Sequence, residues 1–200
     1  MKYLFSFLFS LFSFLVSSQS EWIEEESKED IKAYSRIKEG KDYYEFRTVF
    51  EVNTSLITAR KLISNISHFK NWLPSTLESK VLKVVSDSVL YAYTVTEAPW
   101  PASKRDLVFK VTKRKTGNNT YSIIMEGKPD FHPLQKDMIR VQEYNAIWKI
   151  TKLNANLVKI DYSASFNPGS TYPNWIIKNS LVEARIQTSL NFIEEVKSDD

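Results

Sequence analysis

Between Tyr44 and Phe166 the chain is written mostly at period two, and it then closes in a single long helical pattern. Tyr44, Phe46, Thr48, Phe50 and Val52 alternate with Glu45, Arg47 and Glu51. Val158, Ile160, Tyr162, Ala164 and Phe166 alternate with Lys159, Asp161 and Ser163. Successive side chains of a strand point to opposite faces, so this pattern predicts antiparallel strands with one wet face. Leu107, Phe109 and Val111, and then Tyr121, Ile123 and Met125, repeat it. Turn-forming runs separate these segments: Glu39-Gly40-Lys41-Asp42, Asp87-Ser88, Gly117-Asn118-Asn119 and Asn154-Ala155-Asn156. Met138 to Leu153 reads as one further strand.

Helical spacing occurs in two places inside this frame. Asn53-Thr54-Ser55 supplies cap chemistry ahead of Leu56, Ala59, Leu62, Ile63 and Ile66. A short second helix is expected over His68 to Trp72, stopped at Leu73 because proline at 74 disfavours helix before it. Near the C-terminus Pro168-Gly169 ends the last strand and Tyr172-Pro173-Asn174 opens a long helix. Trp175, Val182, Ile186, Leu190 and Ile193 form its expected apolar stripe. Upstream, Glu21 to Lys32 reads as a short amphipathic helix around Trp22, Ile23 and Ile31, and Ile31 to Ile37 then alternates as the first strand of a hairpin. The fold class is therefore α+β: one curved antiparallel sheet wrapped around a long C-terminal helix, with two short helices after the first strands. Such an arrangement leaves a space between sheet and helix.

The first twenty residues belong to a different polymer. Met1-Lys2 carries one charge, Tyr3 to Val16 is uncharged and rich in Phe and Leu, and Ser17-Ser18-Gln19-Ser20 supplies small residues. That is the order of a cleavable export signal. The apolar run is shorter than the roughly 20 residues needed to span a bilayer and is diluted by serines. Residues 1–20 are thus expected to be a signal peptide removed near 18–20, leaving a single domain over 21–200 in the periplasm or outside the cell. The chain has no cysteine, which excludes disulfides, thiolate metal ligands, a cysteine nucleophile and a lipidated N-terminal Cys.

Two motifs and a shorter third segment carry a resemblance. Glu97-Ala98-Pro99-Trp100-Pro101-Ala102-Ser103-Lys104-Arg105-Asp106-Leu107-Val108 resembles the Pro-Trp-Pro…Arg-Asp signature of START domains, the lipid-transfer members of the Bet v 1-like helix-grip superfamily. Pro168-Gly169-Ser170-Thr171-Tyr172-Pro173-Asn174-Trp175 is similar to that family's entry into the last helix, and Trp72-Leu73-Pro74 to the segment leading into its sheet. The resemblance covers about residues 30–196. It implies a cavity for a lipid or other apolar ligand, closed by the C-terminal helix and nearby loops. The residues expected to meet that ligand are Tyr93, Leu107, Phe109, Val111, Ile123, Trp148, Tyr162, Trp175, Val182 and Ile186. Pro99, Trp100, Pro101, Arg105, Asp106, Gly169 and Pro173 are expected to act structurally. The charged pair that sterol-carrying relatives place on these strands is not carried over, because the nearest inward positions are Ala92 and Val111. A gate is expected where the loop of residues 127–136 faces the first turn at Trp175–Ile177, with Gly169 as hinge.

Catalytic chemistry is thin. His68 and His132 are the two histidines, neither in a zinc-binding spacing, and the four glycines do not build a phosphate loop or a nucleophile elbow. Lys+Arg 27 against Asp+Glu 24 is near balance, and the charges are interspersed, unlike a nucleic-acid-binding face. No cofactor and no metal are expected. The favoured function is binding, with transfer as its extension, of a hydrophobic ligand by a monomer that visits a membrane surface transiently. Two alternatives stay open: a cavity-bearing enzyme of the polyketide cyclase/aromatase type, and an interaction protein whose cavity is filled by side chains.

Overall fold

A computed structural model describes residues 21–97, 103–167 and 174–198, with α3 side chains described from Lys178 onward. Strands β1 (Ile23–Lys28), β2 (Ile31–Ile37) and β3 (Tyr44–Asn53) lead into helices α1 (Leu56–Ser64) and α2 (Phe69–Trp72). Then come β4 (Thr76–Ser86), β5 (Val89–Thr96), β6 (Arg105–Lys115), β7 (Thr120–Gly127), β8 (Ile139–Arg140), β9 (Tyr144–Lys152) and β10 (Leu157–Phe166). Helix α3 (Asn174–Ser198) completes the fold. The sheet order is β1-β2-β3-β10-β9-β7-β6-β5-β4, antiparallel throughout, while the short β8 lies parallel beside β6. This is the helix-grip architecture the alternation implied.

Local chemistry explains each junction. Ser55 caps α1, its Oγ accepting from the Thr58 amide at 3.0 Å, so the expected cap residue performs that role. Ala59, Leu62 and Ile63 form the buried side of α1, and Ile66, Phe69 and Trp72 continue it through the next turns. Leu73 ends α2 in an extended conformation, as the following proline requires.

The N-terminal segment corrects the sequence reading. Residues 23–28, expected to be helical, form β1 and pair with β2, whose alternation from Ile31 to Ile37 holds as a strand. Glu29 and Asp30 sit at φ of 49° and 63°, the backbone sign a tight two-residue hairpin turn demands. The ladder from β1 to β2 outweighs the weak helical preference of a six-residue acidic stretch. Trp22 adds an anchor, with the Arg36 guanidinium 4.3 Å above its ring. The expected strand from Met138 to Leu153 is likewise split into β8 and β9, separated by residues 141–143.

The sheet packs its inward face on α3, α1 and α2. Phe50, Val52, Ala92, Phe109, Val111, Ile123, Met125, Trp148, Ile160 and Tyr162 are buried there together with Phe192 and Val196 of α3. At the helix's other half Val182 and Ile186 pack with Ala33 and Phe46. The buried stripe of α3 thus passes through Val182, Ile186, Ser189, Phe192 and Val196, while Leu190 and Ile193 are only half-buried. The expected stripe was turned slightly off this line.

Candidate ligand-binding interior

Ring packing fills the half of the interior nearest α1 and α2. Trp148 stacks on its β10 neighbour Tyr162 at 3.8 Å between centroids and 13° between planes. Phe192 reaches in from α3 to lie 5.9 Å from Trp148, 5.9 Å from Phe50 and 6.0 Å from Trp72. Such pairs add about 0.5–1.5 kcal/mol each beyond the burial of their area. One layer nearer the start of β9 the inward side chains are small, before Tyr144 fills the next inward position against Phe109. Ala146 and Ala164 face each other across β9 and β10, and Met125 and Phe46 flank them in register.

Polar groups enter this apolar face from α3 and β9. Arg185 lies on the inward stripe, three residues beyond Val182 and four before Ser189. Its Nη1 donates to the Tyr162 hydroxyl at 3.0 Å, and its Nε is buried without a hydrogen-bond partner. Ser189 Oγ sits 3.0 Å from Thr48 Oγ1 on β3. The Tyr144 hydroxyl points at Met125 Sδ, 3.9 Å away. Burial, followed by the neighbouring Tyr162, pushes the Tyr144 phenol well above its ordinary value, and Arg185 pulls the other way. It stays a neutral donor at any physiological pH.

The expected ligand contacts divide into four groups. Phe109, Val111, Ile123, Trp148 and Tyr162 come together in the main buried cluster, with Leu107 half-buried at its margin. Val182 and Ile186 form the second cluster, against β2 and β3. Tyr93 lies on the opposite face of the sheet, because it alternates with the inward Ala92. There it packs with Val95 and Val108, directs its hydroxyl to Met138 Sδ at 3.8 Å, and has its phenol pushed up to about 12 by burial and by Asp106. The Trp175 side chain lies outside the described residues, as do Pro99, Trp100, Pro101, Gly169 and Pro173 and the whole of residues 1–20.

The structural motif residues Arg105 and Asp106 behave differently from each other. Arg105 donates from Nη1 to the Ser103 carbonyl at 3.1 Å near the surface. Asp106 is fully buried and takes two hydrogen bonds from Arg140, a partner the sequence reading did not identify. Phe192, Trp72 and Arg185 were also missed. For Arg185 a signal existed: a lone cation at helical spacing inside an apolar stripe.

Open depressions mark the surface among the described residues. One of ≈ 310 Å³ is bounded by Asn71, Trp72, Asn191, Glu194, Glu195 and Ser198. Another, of ≈ 270 Å³, lies where Glu26 and Lys28 of β1 face Asn179, Glu183, Ile186 and Gln187 of α3. Charged rims make both poor hosts for an apolar molecule. Among the described residues, no helix is long and apolar enough to cross a membrane, and no group of three or more metal-ligating side chains converges.

Comparison with known proteins agrees with this geometry. The crystal structure of a STAR-related lipid transfer protein fragment from Xanthomonas axonopodis superposes with a TM-score of 0.81 at 28% identity, covering 88% of this chain and 98% of that one. Human StAR-related lipid transfer protein 5 gives the same TM-score at 13% identity, over 88% and 86% of the two chains, a likeness of fold. An uncharacterized protein of Pseudomonas aeruginosa is 25% identical over 168 residues, 84% of this chain and 83% of its own length. The START domain model matches residues 10–191, and the chain belongs to the START domain family.

Proposed function

We propose that this protein holds a lipid or other hydrophobic molecule between the inward face of its sheet and α3, and carries it through an aqueous space outside the cytoplasm. The observation that carries this reading is the likeness to the Xanthomonas lipid transfer protein fragment, over 88% of this chain and 98% of that fragment. The inward apolar positions on β6, β7, β9 and β10 supply the chemistry. Leaving such a ligand in water costs about 25 cal/mol per Å² of apolar surface, so an enclosed carrier is the economical route between membranes. Residues 1–20 fit an export signal by their order of charge, apolar run and small residues.

The aromatic packing around Trp148 and Phe192 favours a second reading, in which side chains fill the interior and the fold serves as an interaction module. Native mass spectrometry of protein purified from its own host separates the two. A co-purifying lipid at unit stoichiometry, released on denaturation, is the result expected of a carrier. Repeated isolation of the bare chain, with no uptake from lipid vesicles, would leave the second reading standing.

A further inference from the structure

Arg185 poses a question of charge balance. Its carbon stem lies on the buried stripe of α3 between Val182 and Ser189, and its guanidinium turns inward to β10. Among the described residues it forms no ion pair: Asp161 pairs with Arg47, Glu45 with Arg36 and Lys38, and Glu25 with Lys178, while Glu26 and Glu183 stand exposed at the surface depression between β1 and α3. The stretches 98–102 and 168–177 contain no Asp or Glu at all, so their sequence cannot supply a carboxylate. Ser198, at the described end of α3, is about 20 Å from Arg185 along the helix at 1.5 Å per residue. A half-buried guanidinium facing an apolar interior without an anion is costly, and proteins rarely keep one without use.

The unpaired atoms have a definite shape. Nη1 is taken by the Tyr162 hydroxyl, which is itself held in place by the stack on Trp148. That leaves Nε, buried and without a partner, and Nη2, which makes no hydrogen bond among the described residues. Together these two nitrogens form one complete fork, the arrangement that grips two oxygens of a carboxylate or phosphate side by side. Just beyond Tyr162 lie the small side chains of Ala164, two residues on along β10, and of its β9 partner Ala146.

We infer that Arg185, positioned by Tyr162, is the headgroup site for an anionic amphiphile: a molecule with an apolar chain ending in a carboxylate or a phosphate monoester. The inference rests on the carrier reading above and specifies what the carrier takes. The guanidinium supplies charge and a two-point fork, and the apolar face of the sheet supplies the sink for the chain.

The test compares dodecanoic acid, dodecyl phosphate and 1-dodecanol on the purified full chain, with binding read by tryptophan fluorescence and native mass spectrometry. The acid or the phosphate is expected to bind about tenfold or more tightly than the alcohol, which matches it in chain but lacks the charge. Which of the two anions leads identifies the headgroup. Arg185→Gln should bring both anions down to the alcohol's affinity and leave the alcohol unchanged, and Arg185→Lys, with charge but no fork, should fall between. Equal binding of all three by the unaltered chain overturns the inference and leaves the carrier reading intact; so does a preference for anions that survives Arg185→Gln. Failure of all three to bind overturns both. The comparison on the unaltered chain decides the matter even if a variant fails to fold.

Discussion

Arg140 and Asp106 form a two-point ion pair sealed from solvent, with Nε to Oδ1 at 2.9 Å and Nη2 to Oδ2 at 2.8 Å, the side chains 3% and 1% exposed. The three remaining N–H donors of Arg140 reach the carbonyls of Pro129, His132 and Pro133, so every donor of the guanidinium is used. The pair clamps the 128–141 segment onto the outer face of the sheet. The backbone bonds from Lys128 to Val108 and from Val141 to Asp106, at 2.8 and 2.9 Å, reinforce it. This runs against the expectation that the loop of residues 127–136 opens as a gate. Lifting it would strand a buried carboxylate and a buried guanidinium together, and that cost far exceeds what a lid motion allows.

Removing one partner should therefore be severe. Asp106→Ala or Arg140→Ala is expected to lose about 3–5 kcal/mol, because the surviving charge is left buried and unpaired. Urea denaturation measures the loss, and limited proteolysis should show new cleavage within residues 127–141. The double variant Asp106→Leu/Arg140→Met should be markedly less damaged than either single change. Single variants within 1 kcal/mol of the parent would mean the clamp contributes little.

The helix register makes a contrast between neighbours. Phe192 is fully buried among Phe50, Trp72 and Trp148, whereas Ile193 is half-buried. Phe192→Ala should cost about 3–5 kcal/mol and Ile193→Ala clearly less. Denaturant midpoints of the two variants, taken side by side, check the order; its reversal would mean that α3 sits differently on the sheet.

Acid should loosen the clasp between β1 and α3. Burial raises the Glu25 carboxyl, but hydrogen bonds from Lys178 at 2.6 Å and Ser35 at 2.6 Å outweigh it and hold the group below its ordinary 4.5. A carboxylate lowered in the folded state adds stability that is fully present above pH 4.5 and lost as pH falls through the lower folded value. For this partly exposed pair the contribution is about 1 kcal/mol at most. Stability measured from pH 7 to pH 3 should show Glu25→Gln less stable than the parent above 4.5, with the two curves converging in acid. A gap that persists unchanged at pH 3 would assign the effect to something other than ionisation.

Export is checked at the N-terminus. The mature protein isolated from its host should begin at Gln19 or Glu21 and partition with the extracytoplasmic fraction. A cytoplasmic protein that retains Met1 would remove the signal reading.

The hairpins were legible because one face of the sheet is dry and the other wet, so burial is written into the alternation of β3 and β10. The capped α1 and the proline-stopped α2 were legible because their signals are local. What escaped was set at a distance. Arg140 looks like any surface arginine until the chain brings it to Asp106, 34 residues earlier. Phe192 differs from Ile193 only by a rotation of one residue about the helix axis, which a stripe drawn at helical spacing does not fix. Tyr93 was assigned to the wrong face because a β5 run of mostly apolar residues, Val89 to Val95, carries no polar marker of its outer side.

The pairing of β3 with β10 has a temporal meaning. The bidentate bridge of Arg47 to Asp161 spans 114 residues of chain, and β3 has no other neighbour on that side. A ribosome adding about 5–20 residues per second therefore leaves the first hairpin waiting many seconds for the strand that completes it. Such long-range closure is slow even after synthesis ends, since loop entropy must be overcome before the ladder rewards it. For a chain proposed to leave the cytoplasm, that delay keeps it threadable until its last strand has emerged.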